Sequence, residues 1–371
     1  MRRSAGEGSP RKRTDGRWEW SVMLNGKRHY VYGKTKSEAK TKYEALKMAH
    51  LQGMQLGTTN QRVDDYLQQW LRDVVQPSLR PRTVQYYESL IYTYIIPAVG
   101  SHKLRDLNPQ HVQKMVNTLP THLKPNSVRN IRSVLRRALN VALRWRLVTY
   151  NAAHGIVMPK IEKYTPRIPT IEEADKFRAV IVGHPREALY VTALCLGLRR
   201  GELLGLLRED VCIETKTICV TGQIQMINKK PERVSLKTEA AYRTLPIPDI
   251  LLPLLKHAHA LHPDQTLLFP SEAGTPILPR NLVTQFKGLL RKAGLPDTIR
   301  LHDFRHYAAS ILLSHGADVV TTQTVLGHAD ASTTLKYYAH AIPNTVRDVV
   351  NDVVNRTMKE TTNEATPQQA A

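Results

Sequence analysis

Four short stretches in the C-terminal half carry side chains suited to chemistry at a phosphodiester. In RLHDFRHYAAS, residues 300–310, His302 and Arg305 stand three apart, so a helix would set an imidazole and a permanent cation on one face. CLGLRRGELLGL holds Arg199 after a Gly-Leu pair, with Glu202 opening an apolar helical run. SLKTEAAYRTLPIP holds Lys237 at an expected hairpin, and VLGHADASTTLKYYAH holds His328 and, nine residues later, Tyr337. Taken singly, each reads more simply as a surface cation, a solvated rim or a helix end. Taken together they are chemically complementary. Two guanidiniums suit the non-bridging oxygens, where the transition state spreads negative charge. Lys and His can supply a proton donor and a base, and a phenol among cations ionises more readily than its reference pKa of about 10 suggests.

A tyrosine nucleophile would conserve the energy of the broken strand in a phosphotyrosyl ester, so the strand could be rejoined without ATP. No GxxxxGK[ST] phosphate loop occurs in the chain, in keeping with that. Metal-dependent nucleases need clustered carboxylates, and the C-terminal half offers no obvious DxD or ExK group. Neither a cofactor nor a metal is expected.

The whole chain must supply the frame. Its 371 residues allow two or three domains, and 42% apolar residues allow real cores. Lys and Arg number 53 against 32 acidic residues, a formal charge of +21 that favours a polyanionic partner. No apolar run approaches the roughly 20 residues that span a bilayer, and no apolar signal core opens the chain, so nucleic acid is favoured over membrane and a cytoplasmic location is expected. Cys195, Cys212 and Cys219 match no zinc spacing, and their odd number suits reduced thiols.

Along the chain, the basic leader MRRSAGEGSP is expected to be disordered until it meets a partner. WEWSVML and KRHYVYG alternate around Asn25-Gly26, which predicts a hairpin. A Thr35 and Glu38 capping box then opens a helix whose Ala39, Tyr43, Leu46 and Met48 would pack on it. Basic side chains on this sheet-plus-helix module, Arg17, Lys27 and Arg28 with the aromatic Trp20, suggest a sheet entering a DNA groove, although a stabilising appendage fits equally well. MQLGTTNQ reads as a linker. An all-helical domain follows, with one helix from Val63 to Val74, one opening at Pro81 and Thr83, and one capped by Asn126. The last carries Arg129, Arg132, Arg136 and Arg137 at near-helical spacing, either a solvated face or one that tracks phosphates. KIEKYTPRIPT, 160–170, reads as a connector. Beyond it a mainly helical α+β domain is expected, in which TKTICVTGQIQMI and RVSLKTEAAYRTLPIP form one small antiparallel sheet.

The order Arg, Lys, His-x-x-Arg, His, Tyr in GLRRGEL, LKT, LHDFRHYAAS and LGHADASTTLKYY resembles the tyrosine recombinase family, in particular its phage integrase branch. The resemblance covers about Ile168 to Ala341. It implies that Arg199 and Arg305 clamp the scissile phosphate, that Lys237 is a general acid for the 5′ hydroxyl, and that His302 assists proton transfer. It further implies that His328 hydrogen-bonds the phosphate, that Tyr337 forms the 3′-phosphotyrosyl link, and that Glu202 holds the arginine loop. Whether Lys237 or His302 moves the key proton stays open. The LGH spacing and the STTxxY frame choose Tyr337 over its neighbour Tyr338. Less specifically, residues 1–56 resemble an arm-binding module, 58–159 a core-binding domain and 171–345 the catalytic domain, with a C-terminal helix and loose tail at 346–371. Val346, Val349, Val350, Val353 and Val354 form one stripe there, for docking on its own domain or on a neighbouring protomer. The partners implied are double-stranded DNA at core and arm-type sites and a homotetramer on DNA, with a possible directionality factor or DNA-bending protein. The implied function is a site-specific recombinase that integrates or excises a mobile element through a Holliday junction. A conjugative-element transposase, a resolvase and a catalytically silent DNA-binding regulator are the alternatives.

Overall fold

The computed structural model describes residues 10–24, 27–51, 60–161 and 167–327. The leader, the Asn25-Gly26 turn, most of the first connector and part of the second, His328, Tyr337, Tyr338 and the expected C-terminal helix lie outside the described residues. Two compact units divide the chain, Met1–Lys163 and Tyr164–Ala371.

The first unit opens with a three-stranded antiparallel sheet in the order β1 (Pro10–Lys12), β2 (Trp18–Leu24), β3 (Lys27–Gly33), followed by α1 (Lys36–Leu51). Strand β1 adds an edge that the sequence did not suggest. Alternation along β2 turns Trp20, Val22 and Leu24 toward α1, where they meet Tyr43 and Leu46, while Met23 is exposed. Met48 does not join that core, contrary to expectation: it is exposed, because nine residues from Ala39 bring it to the opposite side of the helix. Thr35 caps α1 by accepting the Glu38 N–H at 3.1 Å, and the Glu38 carboxylate takes the Lys34 N–H at 2.7 Å, one residue before the cap.

The longer helices that follow among the described residues of the unit are α2 (Val63–Trp70), α3 (Pro81–Leu90), α4 (Pro109–Asn117) and α5 (Pro125–Arg144). Both α2 and α3 run on through a wide turn, Leu71–Val75 and Ile91–Ile95, before Pro77 and Pro97. Each proline ring would strike the carbonyl four residues back, which lies inside the wide turn, so the backbone opens there instead of breaking. Tyr66, Leu67, Ile91, Ile95, Ile131 and Leu135 are fully enclosed, each contributing about 1.5–3 kcal/mol by the area it hides. The Tyr66 hydroxyl donates to the Ala138 carbonyl at 2.6 Å. Helix α5 begins at Pro125, not after a cap at Asn126: the residue before a proline is held extended, as Lys124 is at ψ 147°, and proline is preorganised for the first helical position.

The second unit begins with α6 (Ile171–Ile181), capped reciprocally by Thr170 and Glu173, then α7 (Glu187–Leu196) and α8 (Arg200–Leu204). Strands β4 (Val211–Cys212), β5 (Thr217–Val220), β6 (Gly222–Ile227), β7 (Lys230–Ser235) and β8 (Arg243–Pro246) follow. They make two antiparallel sheets rather than the single one expected, β4-β5-β8 and the hairpin β6-β7. The hairpin closes over Asn228 and Lys229 alone, both left-handed at φ 47° and 63°, the backbone that matches strand twist in a two-residue turn. Helices α9 (Leu252–Leu261), α10 (Pro279–Lys292), α11 (Leu301–Ser314) and α12 (Val319–Leu326) end the described chain. Helix α7 is buried nearly all round, which is why its sequence lacks a polar face. Around it Phe177, Tyr190, Phe286 and Phe304 make edge-to-face and tilted contacts at 5.0–6.2 Å. That aromatic centre fixes α11, the carrier of His302 and Arg305. No described helix is long and apolar enough to cross a membrane.

Candidate active site

Helix α7 stops at Gly197, left-handed at φ 58°, where a Cβ would stand 2.9 Å from Leu326 Cδ2 and 3.1 Å from Ala308 Cβ. Glycine therefore lets α7 turn tightly against α11 and α12. Two residues on, Arg199 is extended just before α8 and gripped from both ends by Glu202. One carboxylate oxygen accepts the Arg199 N–H at 3.1 Å, the other accepts Nη1 at 2.6 Å. Glu202 is only 2% exposed. Burial would raise its pKa, but the guanidiniums of Arg243 and Arg199 outweigh that and hold it below the usual carboxylate value.

Arg305 on α11 is as buried as Glu202, and its guanidinium donates to two carbonyls, Gly197 at 2.9 Å and Leu326 at 2.6 Å. Arg199 Nη2 donates to the next carbonyl, Gly327, at 2.8 Å. The ends of α7 and α12 thus bring Arg199 and Arg305 to one corner of the unit, and α12 ends there on left-handed Gly327, directly before His328 in sequence. The Arg199 side chain stays 37% exposed, which leaves part of its planar donor fork open to an anion from solvent.

His302 and Arg305 do not share one exposed face, as their spacing had suggested. Arg305 points inward to the loop carbonyls, and His302 stays at the exposed rim. The His302 ring meets His306 edge-on at 5.3 Å. Desolvation of its inner edge, then His306 and Arg305, push its pKa down to about 4. The imidazole is consequently neutral across pH 5 to 8. An NMR titration of the free protein should show His302 uncharged until the pH falls to about 4, and a midpoint at or above the ordinary 6.5 would contradict this. Lys237 is exposed in the bend after β7, on the crossover to β8 and not in the hairpin turn expected.

Arg243, on β8, escaped the sequence reading although it lies inside the stretch quoted for Lys237. Its side chain is 3% exposed and donates to Glu202 at 2.9 Å. An arginine alternating inward between Tyr242 and Thr244 was the available signal.

Elsewhere, the arginines of α5 lie as follows. Arg129 and Arg136 are exposed, and Arg132 is half-buried with its Nε enclosed and unpartnered. Burial lowers the Arg132 pKa most, with smaller contributions from the nearby charges of Arg136 and Arg129. Arg137 is tied to Tyr87, bonding its hydroxyl and lying 5.9 Å from its ring centroid. In the N-terminal module, Arg28 is exposed and Arg17 pairs with Asp15 at 2.7 Å while lying over Tyr32. The side chain of Lys27 lies outside the described residues. Trp20 departs from the expected DNA contacts: its ring stacks on Tyr43 at 5.2 Å, on the side of the sheet that faces α1.

A model of the phage integrase family matches residues 183–344, and the N-terminal SAM-like domain of phage integrases matches 63–119. A tyrosine recombinase XerC-like protein of Caldanaerobacter subterraneus is 30% identical over 352 residues, covering 86% of this chain and 90% of the relative. Among solved structures, the Tn1549 transposon integrase in complex with a circular intermediate DNA superposes with a TM-score of 0.70 at 19% identity, over 79% of this chain and all of that one. A lambda integrase tetramer bound to a Holliday junction gives 0.58 at 17% identity, over 87% of this chain and 96% of that one. With a relative of that identity spanning nearly its whole length, the chain belongs to the phage integrase family and is a tyrosine recombinase.

Proposed function

We propose that the protein is a site-specific DNA integrase that cuts and rejoins strands through a 3′-phosphotyrosyl intermediate, moving a mobile element into or out of a chromosome. The observation that carries this is the corner where Arg199 and Arg305 are anchored on the backbone that leads into His328. In that reading Arg199 and Arg305 neutralise the scissile phosphate and His328 hydrogen-bonds it. The Tyr337 oxygen forms a bond to phosphorus as the bond to the 5′ oxygen breaks. Neutral His302 is poised to accept the phenolic proton, and Lys237 gives one to the departing 5′ hydroxyl, so the step is balanced without ATP.

The same reading gives residues 171–345 the catalysis, 58–159 the core site and 1–56 the arm sites, with DNA contacts from Arg17, Lys27, Arg28, Arg129, Arg132, Arg136 and Arg137. The spacing of Arg129, Arg132 and Arg136 along one helix, with Arg129 and Arg136 exposed, supports the core-site assignment. A homotetramer working in the cytoplasm through a Holliday junction is supported by the similar fold of the lambda integrase tetramer. An accessory bending or directionality protein would complete the assembly.

The test uses DNA flanking the gene, nicked near a candidate crossover and incubated with the protein in EDTA. A protein-DNA band that survives SDS is expected. Tight binding with no adduct on any flanking site would favour a catalytically silent regulator.

A further inference from the structure

We propose that Arg243 is a positioning residue for strand cleavage: it fixes Glu202, through Glu202 the Arg199 guanidinium, and it anchors the end of α12 that leads to His328. The inference rests on the strand-transfer reading above.

Arg243 directs all its nitrogens inward. Nη2 donates to Glu202 Oε2 at 2.9 Å, Nε to the Val325 carbonyl at 2.8 Å and Nη1 to the Ala241 carbonyl at 2.9 Å. At 3% exposure it is enclosed, so its influence on DNA runs through neighbours. Two of them matter. Glu202 Oε1 accepts from Arg199 Nη1 while Oε2 is shared by the Arg199 N–H and Arg243 Nη2, so a rotation of the carboxylate swings the Arg199 fork. Val325 is the first of three consecutive carbonyls closing α12, and each accepts from a different arginine: Val325 from Arg243, Leu326 from Arg305, Gly327 from Arg199. Carbonyls at a helix C-terminus carry partial negative charge and attract cations, so the three arginines and the helix end brace one another. Gly327 shows how close the fit is. A Cβ there would stand 2.9 Å from Arg243 Nη1, and the residue is left-handed at φ 65°. Lysine could supply the charge, but its three donors radiate from one nitrogen rather than a wide planar fork, so it could not reach Glu202, Val325 and Ala241 together.

Arg243→Lys and Arg243→Gln are therefore expected to bind core DNA within about threefold of wild type yet cleave about 10- to 100-fold more slowly, as supporting groups behind a charged site generally do. A second substrate separates positioning from general loosening. Where a methyl group replaces one non-bridging oxygen of the scissile phosphate, the ground-state charge is gone and less negative charge develops for Arg199 to neutralise, so the deficit of both variants should shrink to about threefold. Cleavage of the ordinary phosphate at the wild-type rate would overturn the proposal. So would an equal deficit on both substrates, or core binding and thermal unfolding lost together in both variants, since each would mean a role in stability alone. If wild type cleaves neither substrate, the strand-transfer reading fails and takes this inference with it.

Discussion

Tyr337→Phe should abolish the SDS-resistant adduct, lowering cleavage by about 10³-fold or more, while binding to core DNA stays within about threefold. Phenylalanine keeps the ring and removes only the oxygen that would bond to phosphorus, so chemistry is lost and packing is spared. Tyr338→Phe is the control that gives the result its meaning. The two tyrosines are adjacent in sequence, and on the proposed mechanism a single phenolic oxygen bonds to phosphorus, so only one of the two substitutions should remove the adduct. Tyr337 follows Gly327 by ten positions, and Gly327 is where the arginine corner ends. An adduct that persists in Tyr337→Phe and disappears in Tyr338→Phe would reverse the assignment, and persistence in both would exclude tyrosine chemistry at this pair.

How far the sequence reaches is clear from particular residues. Elements declared themselves where one strong local signal sufficed: the alternation of WEWSVML, the 3.6-residue period from Val63, and the apolar run after Arg305 all became the expected strand and helices. Local patterns also misled. Asn126 looked like a cap, yet Pro125 starts the helix one residue earlier, and Met48 fits an apolar count but not the angle. The single sheet became two because the chain leaves β5 at Thr221 to start a separate hairpin, which no propensity encodes. In the site, His302 and Arg305 were visible by spacing, but their different depths were not. Arg305 is buried because Gly197, 108 residues earlier, offers its carbonyl, and such a pairing exists only in the folded chain. Arg243 was overlooked for the same reason: its partners Glu202 and Val325 lie 41 and 82 residues away.

That difference in depth separates Arg199 from Arg305 experimentally. Arg305→Ala should slow cleavage by about 10²–10³-fold or more through the loss of a transition-state cation, and it should also destabilise the C-terminal unit by about 2–4 kcal/mol. The second effect follows because the Gly197 and Leu326 carbonyls would each lose a charge-assisted bond in a place water reaches poorly. Arg199→Ala should slow cleavage to a similar extent but cost only about 1 kcal/mol of stability. Its side chain is 37% exposed, and Glu202 would still be paired with Arg243 at 2.9 Å. Denaturant unfolding of both variants, set beside adduct rates on one nicked substrate, gives the comparison. Equal losses of stability would mean that Arg199 is as much a structural strut as Arg305. Unequal losses with matched losses of rate would assign Arg305 two duties, holding the ends of α7 and α12 together and presenting charge to the phosphate. In that case one buried cation joins the fold to the chemistry, and a conservative change such as Arg305→Lys, which keeps the charge but not the fork, should fail at both.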